Sequence, residues 1–137
     1  HPSRAETSCT VGALPATVLV VEDDPGIRAL LRVVLEVRGH TVHEAASGDV
    51  AVAAARAAQP DVVTLDIGLP GLDGIGVLRA LKEDVELRDV PVLMVTAWDD
   101  QSLMDEAMGL GAVDYVRKPF EPDALVARVE AFVEASS

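Results

Sequence analysis

The fold is decided by a short apolar run that ends in three acids and a proline, TVLVVEDDP at residues 17–25. The valine-rich run predicts a strand covered by helices on both faces, because a strand with one solvent-exposed face would alternate apolar and polar residues. Asp24 followed by Pro25 predicts that a helix begins at once, with the aspartate as its N-cap and the proline in its first turn. The sequence therefore predicts a buried strand that leads directly into a helix.

The same alternation of strand and helix recurs along the chain. Further strands are predicted at Thr41–Ala45, Asp61–Leu65, Pro91–Val95 and Val113–Val116. Helical periodicity fills the intervals: one helix opens at Asp24 and closes at Gly39, and the others are predicted at Asp49–Ala58, Ile75–Glu83, Ser102–Met108 and Pro122–Ala135. Successive βα units need right-handed crossovers and a parallel sheet. We therefore expect an α/β fold, a doubly wound five-stranded parallel sheet sandwiched between five helices. The second strand ends in Ala45 and Ala46, with no reactive side chain, which favours the flavodoxin-like order 2-1-3-4-5, where that strand lies at the edge.

Composition narrows the class of protein. Acidic residues outnumber basic ones by 23 to 11, which gives a formal charge of −12. Such a chain cannot hold a phosphate backbone by counterion release, so we expect no direct nucleic-acid partner. No apolar run reaches the roughly 20 residues of a membrane span, so no membrane contact is expected. The single cysteine, Cys9, fits the reducing cytoplasm. Residues 1–15 are expected to be a flexible tail or a cloning remnant, and residues 16–137 one domain.

Polar residues follow four of the predicted strands, at the edge of the sheet where doubly wound folds bind ligands. They are Glu22, Asp23 and Asp24 after the first strand, Asp66 after the third, Thr96 after the fourth, and Arg117 and Lys118 after the fifth. The first and third strands flank the switch point, so Asp23 and Asp66 should share a crevice. Charges about 4 Å apart repel by ~4 kcal/mol at an effective dielectric constant near 20, and Lys118 offsets only part of this. Mg²⁺ would offset the rest, and a carboxylate in this setting is equipped to accept a phosphoryl group.

Four segments in this order and spacing, VLVVEDDPGIR, LDIGLPGLDG, VTAW and DYVRKPF, resemble the receiver domain of two-component response regulators. The resemblance covers residues 16–135 and implies a metal site. It implies that Asp66 is the phosphoacceptor and a metal ligand, that Asp23 binds Mg²⁺ directly, that Glu22 holds a metal-bound water and that Gly68 lends its main-chain carbonyl.

The resemblance also implies roles at the last two strand ends. Thr96 matches the hydroxyl that hydrogen-bonds the phosphoryl group, and Lys118 matches the lysine that pairs with it. The Lys118–Pro119 peptide is cis in the family, and Tyr115 matches its aromatic switch residue. Two residues depart from the family's usual pattern. Gly68 replaces a larger side chain, and the bulky Trp98 is expected to shield the site or a partner surface.

The function implied is that of a signalling domain, not of an enzyme, whose only reactions are its own phosphorylation and dephosphorylation. A sensor histidine kinase or a histidine phosphotransfer protein would phosphorylate Asp66, and the domain would switch conformation to control an output domain or partner. The face that changes is the fourth helix, fifth strand and fifth helix. Asp114 and Arg128 match two positions of a dimerisation face used by receivers of DNA-binding regulators, so a homodimer is one interpretation. An exposed ion pair worth well under 1 kcal/mol is the other.

Two other classes of protein use related chemistry or a related fold. A phosphatase with an aspartyl nucleophile carries a general acid two residues after that nucleophile, where this chain has Gly68. A flavin carrier of the flavodoxin type needs a phosphate-binding loop rich in glycine and hydroxyl groups after the first strand. Glu22, Asp23 and Asp24 stand there instead and would repel the flavin phosphate.

Overall fold

A computed structural model of the protein describes residues 15–68, 73–97 and 101–136. Within these residues the strands are β1 (Thr17–Val21), β2 (Thr41–Ala45), β3 (Val62–Leu65), β4 (Val92–Thr96) and β5 (Asp114–Arg117). The helices are α1 (Pro25–Val37), α2 (Gly48–Ala58), α3 (Gly74–Glu83), α4 (Gln101–Leu110) and α5 (Pro122–Ser136). All pairings are parallel, in the order β2-β1-β3-β4-β5. The predicted fold is confirmed, whereas the predicted tail, apart from Pro15, lies outside the described residues.

The central strands supply two cores because alternate side chains leave opposite faces of the sheet. In β1, Leu19 and Val21 pack with α2, α3 and α4, whereas Val18 and Val20 pack with α1 and α5. All four of these side chains are at most 1% exposed. A strand buried on both faces has no reason to alternate polar and apolar residues, which explains the unbroken valine-rich run. Of the helices that the structure describes, none combines the length and apolar composition that a bilayer span requires.

Two of the helices begin at an aspartate that caps them. The Asp24 side chain accepts hydrogen bonds from the backbone N–H groups of Gly26 (2.8 Å) and Ile27 (3.1 Å) at the start of α1. Asp73 accepts one from Gly76 (2.8 Å) and so caps α3. Asp24 is thus an N-cap, as predicted, and its carboxylate serves the local structure of the helix.

The last two strands, β4 and β5, end one residue later than predicted, and the shift of β4 matters for the site. Thr96 was expected to follow β4 but is its last residue. The reason is tertiary: the Thr96 carbonyl accepts a hydrogen bond from the Lys118 N–H at 2.8 Å, which extends the β4–β5 ladder. Both residues are therefore fixed by the sheet and not by a free loop.

A buried polar cluster ties α5 to the start of the sheet. The His40 ring is fully buried; its Nδ1 accepts a hydrogen bond from the Ala16 N–H (3.0 Å), so Nε2 carries the proton and donates to Glu130 (2.8 Å). The Arg38 guanidinium holds the other Glu130 oxygen at 2.9 Å. Burial acts to raise the pKa of Glu130, but the bonds from Arg38 and His40 outweigh it and leave the pKa below its usual value.

We expect Glu130→Gln to lower the free energy of unfolding at neutral pH by about 1–3 kcal/mol, because the buried His40 loses a charged acceptor. A lowered pKa means that the ionised Glu130 stabilises the fold above its ordinary pKa of 4.5, and that this is lost as the pH falls through the lower folded value. Urea unfolding between pH 3 and 7 should therefore give a shallower acid limb for the variant. Glu36→Gln, which removes an exposed partner of Arg32, is the control. Parallel pH profiles for Glu130→Gln and wild type would contradict the assignment.

Candidate phosphoacceptor site

Strand register brings the acids together. β1 and β3 are hydrogen-bonded neighbours with Val21 beside Leu65, and the Asp66 N–H donates to the Val21 carbonyl at 3.1 Å. The residues that follow the two strands therefore meet at one edge of the sheet. Carboxylate oxygens of Glu22, Asp23 and Asp66 lie within 4.8 Å of one another. Glu22 and Asp66 are 2% and 6% exposed, whereas Asp23 is open to solvent.

Lys118, which follows the edge strand β5, completes this cluster. Its Nζ lies 2.7 Å from Glu22 Oε1 and 3.1 Å from Asp66 Oδ2. The Lys118–Pro119 peptide is cis, as the resemblance implied. The lysine thus bridges two acids that come from separate strand ends, and the predicted convergence of Glu22, Asp23, Asp66 and Lys118 is what the structure shows.

The electrostatics of the cluster leave negative charge in excess. Burial raises the pKa of Glu22, and the nearby Asp66 charge adds to the rise, against the hydrogen bonds from Lys118 and from the Asp24 N–H. Burial acts to lower the pKa of Lys118, but its bonds to Glu22 and Asp66 prevail and the pKa is raised. Three carboxylates against one ammonium group form an oxygen-rich set that suits a hard divalent cation such as Mg²⁺. The donor set therefore fits the metal that the resemblance implied.

Three further residues that the sequence singled out lie on β4, on β5 and in the loop after β3. Leu65 pairs with Met94, so Thr96 lies one residue further along the neighbouring strand than Asp66, and it is fully buried. The Gly68 N–H donates to Asp66 Oδ1 at 3.0 Å. Tyr115 is half-buried against the core, with the Arg117 guanidinium 6.0 Å from its ring centre. Trp98 lies outside the described residues, so its predicted shielding role stays a prediction.

Sequence reasoning missed two residues that shape the site. Arg28 donates from Nη1 to the Glu22 carbonyl at 2.9 Å, within the loop that carries the acids. Gly74, at the start of α3, lies so close to Asp66 that a Cβ there would be 2.3 Å from the Asp66 carbonyl oxygen. Arg28 stands in the quoted segment VLVVEDDPGIR, and Gly74 follows Asp73 in a turn dipeptide, but neither pattern indicates what the residue contacts.

The fold and this strand-end cluster define a class of phosphoacceptor signalling domains. The chain matches the response regulator receiver domain family over residues 18–130 and belongs to that family. The DNA-binding response regulator MtrA of Mycolicibacterium smegmatis is 45% identical over 116 residues, 83% of this chain and 49% of MtrA. The phosphate regulon regulator PhoB of Pseudomonas aeruginosa is 39% identical over 115 residues, 84% of this chain and 50% of PhoB.

Solved structures show the same likeness. The Vibrio cholerae chemotaxis protein CheY4 is 30% identical with a TM-score of 0.81, over 86% of this chain and 98% of CheY4. The receiver domain of the Francisella response regulator 1452 is 30% identical with a TM-score of 0.82, over 89% of this chain and 99% of that domain. The chain spans about half the length of the curated relatives it matches. The prediction that this domain makes no direct contact with nucleic acid is not tested by relatives twice as long and stays a prediction.

Proposed function

We propose that Asp66 accepts a phosphoryl group from the phosphohistidine of a sensor histidine kinase or histidine phosphotransfer protein, and that the domain then switches conformation to control an output domain or partner. The observation that carries this proposal is the convergence of three strand-end acids and Lys118 around a buried Asp66. Glu22, Asp23, Asp66 and the Gly68 carbonyl would hold Mg²⁺. The metal, when bound, neutralises charge on the phosphoryl oxygens.

Each residue of the site has a separate role in the phosphoryl transfer. One Asp66 carboxylate oxygen forms the new P–O bond as the P–N bond of the phosphohistidine breaks. The Gly68 N–H and Lys118 Nζ, at 3.0 and 3.1 Å, hold the two Asp66 oxygens and so fix the direction of attack. Lys118 then pairs with a phosphoryl oxygen, and the Thr96 hydroxyl donates to another. Phosphoryl transfer needs positioning and charge neutralisation more than covalent assistance, and these contacts supply both.

The proposed switch acts on α4, β5 and α5. Thr96 ends β4 and Lys118 follows β5. Movement of either residue toward a phosphoryl group would therefore shift part of this face. On it the Arg128 guanidinium pairs with Asp114 of the same protomer. A homodimer through this face after phosphorylation is part of the proposal, although Ala124 stands where the family's dimers use an acid. Sedimentation velocity tests it: faster sedimentation only after labelling supports the dimer, and a monomer in both states contradicts it.

The test of the proposed function is labelling of the purified protein with acetyl phosphate or with a phosphorylated histidine phosphotransfer protein. Intact mass should increase by one phosphoryl group per chain with millimolar Mg²⁺ and stay unchanged when EDTA replaces the metal. Peptide mapping should place the group on Asp66. Absence of labelling from both donors would refute the proposal, and sustained release of phosphate from a generic phosphate ester would favour the phosphatase alternative.

Magnesium should raise the thermal stability of the protein, because it binds the folded cluster and relieves the repulsion among its acids. Ligand at 100 times its Kd adds about 2.7 kcal/mol to the free energy of unfolding. Asp23→Asn should remove most of this increment. Thermal melts with MgCl₂, against NaCl of equal ionic strength, measure it. Asp24→Asn is the matched control, since asparagine still caps α1 and the Mg²⁺ increment should persist. An undiminished increment in Asp23→Asn would contradict its role as a ligand.

A further inference from the structure

Arg28 reaches back from α1 over the loop that precedes the helix. Its Nη1 donates to the Glu22 carbonyl at 2.9 Å and to the Asp23 carbonyl at 3.4 Å. Its Nε donates to Glu44 of β2 at 2.9 Å. The guanidinium is therefore held through Nε by the edge strand, while Nη1 alone donates to two successive carbonyls. The Arg28 side chain is 20% exposed, and its bond to the Glu22 carbonyl is partly buried.

The carbonyls that Arg28 binds belong to the residues whose carboxylates form the acidic cluster. Glu22 and Asp23 lie in the three-residue connection between β1 and α1. Neighbouring carboxylates repel, so a loop free to rotate would turn them apart. Fixing the two peptide planes fixes the directions in which the side chains leave the backbone. A rigid, planar guanidinium can do this because Nε is anchored on Glu44 and thereby fixes where Nη1 lies, whereas a lysine nitrogen has no such second anchor on its flexible chain.

We propose that Arg28 is a positioning residue of the magnesium site, which holds the Glu22–Asp23 backbone so that both carboxylates face the metal. This inference rests on the proposed function. Arg28 is itself a cation, so its charge alone opposes the binding of Mg²⁺. The two properties of Arg28 therefore affect the Mg²⁺ affinity in opposite directions. Loss of positioning weakens Mg²⁺ binding, whereas loss of the charge alone strengthens it.

The sequence provides a matched control at Arg32, one helical turn further along α1. Arg32 also pairs with Glu44 and additionally with Glu36. Arg32→Gln thus removes a positive charge and a Glu44 partner, and its other contact is with Glu36 of α1 and not with the acidic loop. Arg28→Lys keeps the charge and removes the planar group through which Glu44 fixes Nη1.

Isothermal titration calorimetry of the unphosphorylated protein with MgCl₂ measures the effect. We expect the Kd for Mg²⁺ to rise about tenfold in Arg28→Gln, the lower end of what outer-shell substitutions cost, and to rise also in Arg28→Lys. In Arg32→Gln the Kd should stay the same or fall. With acetyl phosphate, Arg28→Gln should need about tenfold more Mg²⁺ for half-maximal labelling, yet reach the wild-type limiting rate.

The outcomes separate this inference from the proposed function. If wild type binds Mg²⁺ and Arg28→Lys binds it equally tightly, the guanidinium does not position the loop and the inference is wrong. Tighter binding by Arg28→Gln would show that Arg28 acts only as a charge, which also overturns the inference. If wild type binds no Mg²⁺, the metal site fails and the inference fails with it. Circular dichroism in EDTA checks folding. Should Arg28→Gln unfold, Arg28→Lys decides the question by itself, because its charge is unchanged and only positioning can raise its Kd.

Discussion

Replacing Asp66 by asparagine is expected to abolish labelling of the domain by acetyl phosphate and by a phosphohistidine donor. The amide oxygen is a poor nucleophile, and removal of the reacting group from a preorganised site lowers rates by on the order of a thousandfold or more. The fold should survive, because asparagine is isosteric and its oxygen can still accept the Gly68 N–H. Without Mg²⁺ the variant should be at least as stable as wild type, since one of three clustered carboxylates is gone.

Intact mass after incubation with donor and Mg²⁺ measures the loss, and thermal melts in EDTA measure the stability. Asp24→Asn is again the control, because Asp24 is acidic and adjacent to the site but serves as an N-cap. It should label at the wild-type level. Full incorporation into Asp66→Asn would show that another carboxylate, such as Asp23, is the acceptor and would overturn the proposed function.

Replacing Gly74 by alanine is expected to cause the largest loss of stability of any substitution considered for this protein. A Cβ at Gly74 would lie 2.3 Å from the Asp66 carbonyl oxygen and 2.4 Å from the Ile67 Cα. Both obstacles are backbone, so no side chain can rotate away, and either α3 or the end of β3 must move. Forced displacements of this kind cost about 3 kcal/mol. The strained segment includes Asp66, so labelling should fall as well.

Urea unfolding of Gly74→Ala against wild type measures the loss. The control is Gly109→Ala in α4, where a Cβ would meet nothing within 4 Å. Alanine is the better helix former, so that change should be neutral or stabilise by up to about 1 kcal/mol. A Gly74→Ala variant as stable as wild type would show that α3 can withdraw from β3 without cost, and that the close approach does not hold Asp66 in place.

Much of the site was predictable because its signals are local or follow from strand order. The valine-rich run before Glu22 indicates a buried strand, and Asp24 with Pro25 indicates a helix start, each from contacts among near neighbours in the chain. Once the order 2-1-3-4-5 is inferred, the first and third strands must be adjacent. The convergence of Asp23 and Asp66 follows from that order, since parallel strands end at one edge of the sheet.

Other contacts could not be predicted, because they depend on where a side chain or backbone lands after packing. His40 and Glu130 are 90 residues apart and meet only because α5 packs against α1, and His40 follows shortly after the end of α1. Arg28 lies in a recognisable segment, yet its bond to the Glu22 carbonyl needs both the helix start and the edge strand in place.

The sequence by itself thus determined the alternation of strands and helices, the strand order and the acids that meet at the edge of the sheet. The alternation follows from hydrophobic period and capping chemistry, which act over short stretches of chain, and the order is the one that puts the strand without a polar ending at the edge of the sheet. Only the tertiary structure decided how the acidic loop is held, by Arg28, and how closely α3 approaches Asp66, at Gly74. Those are distances between elements, set when the two cores fill on either side of the sheet.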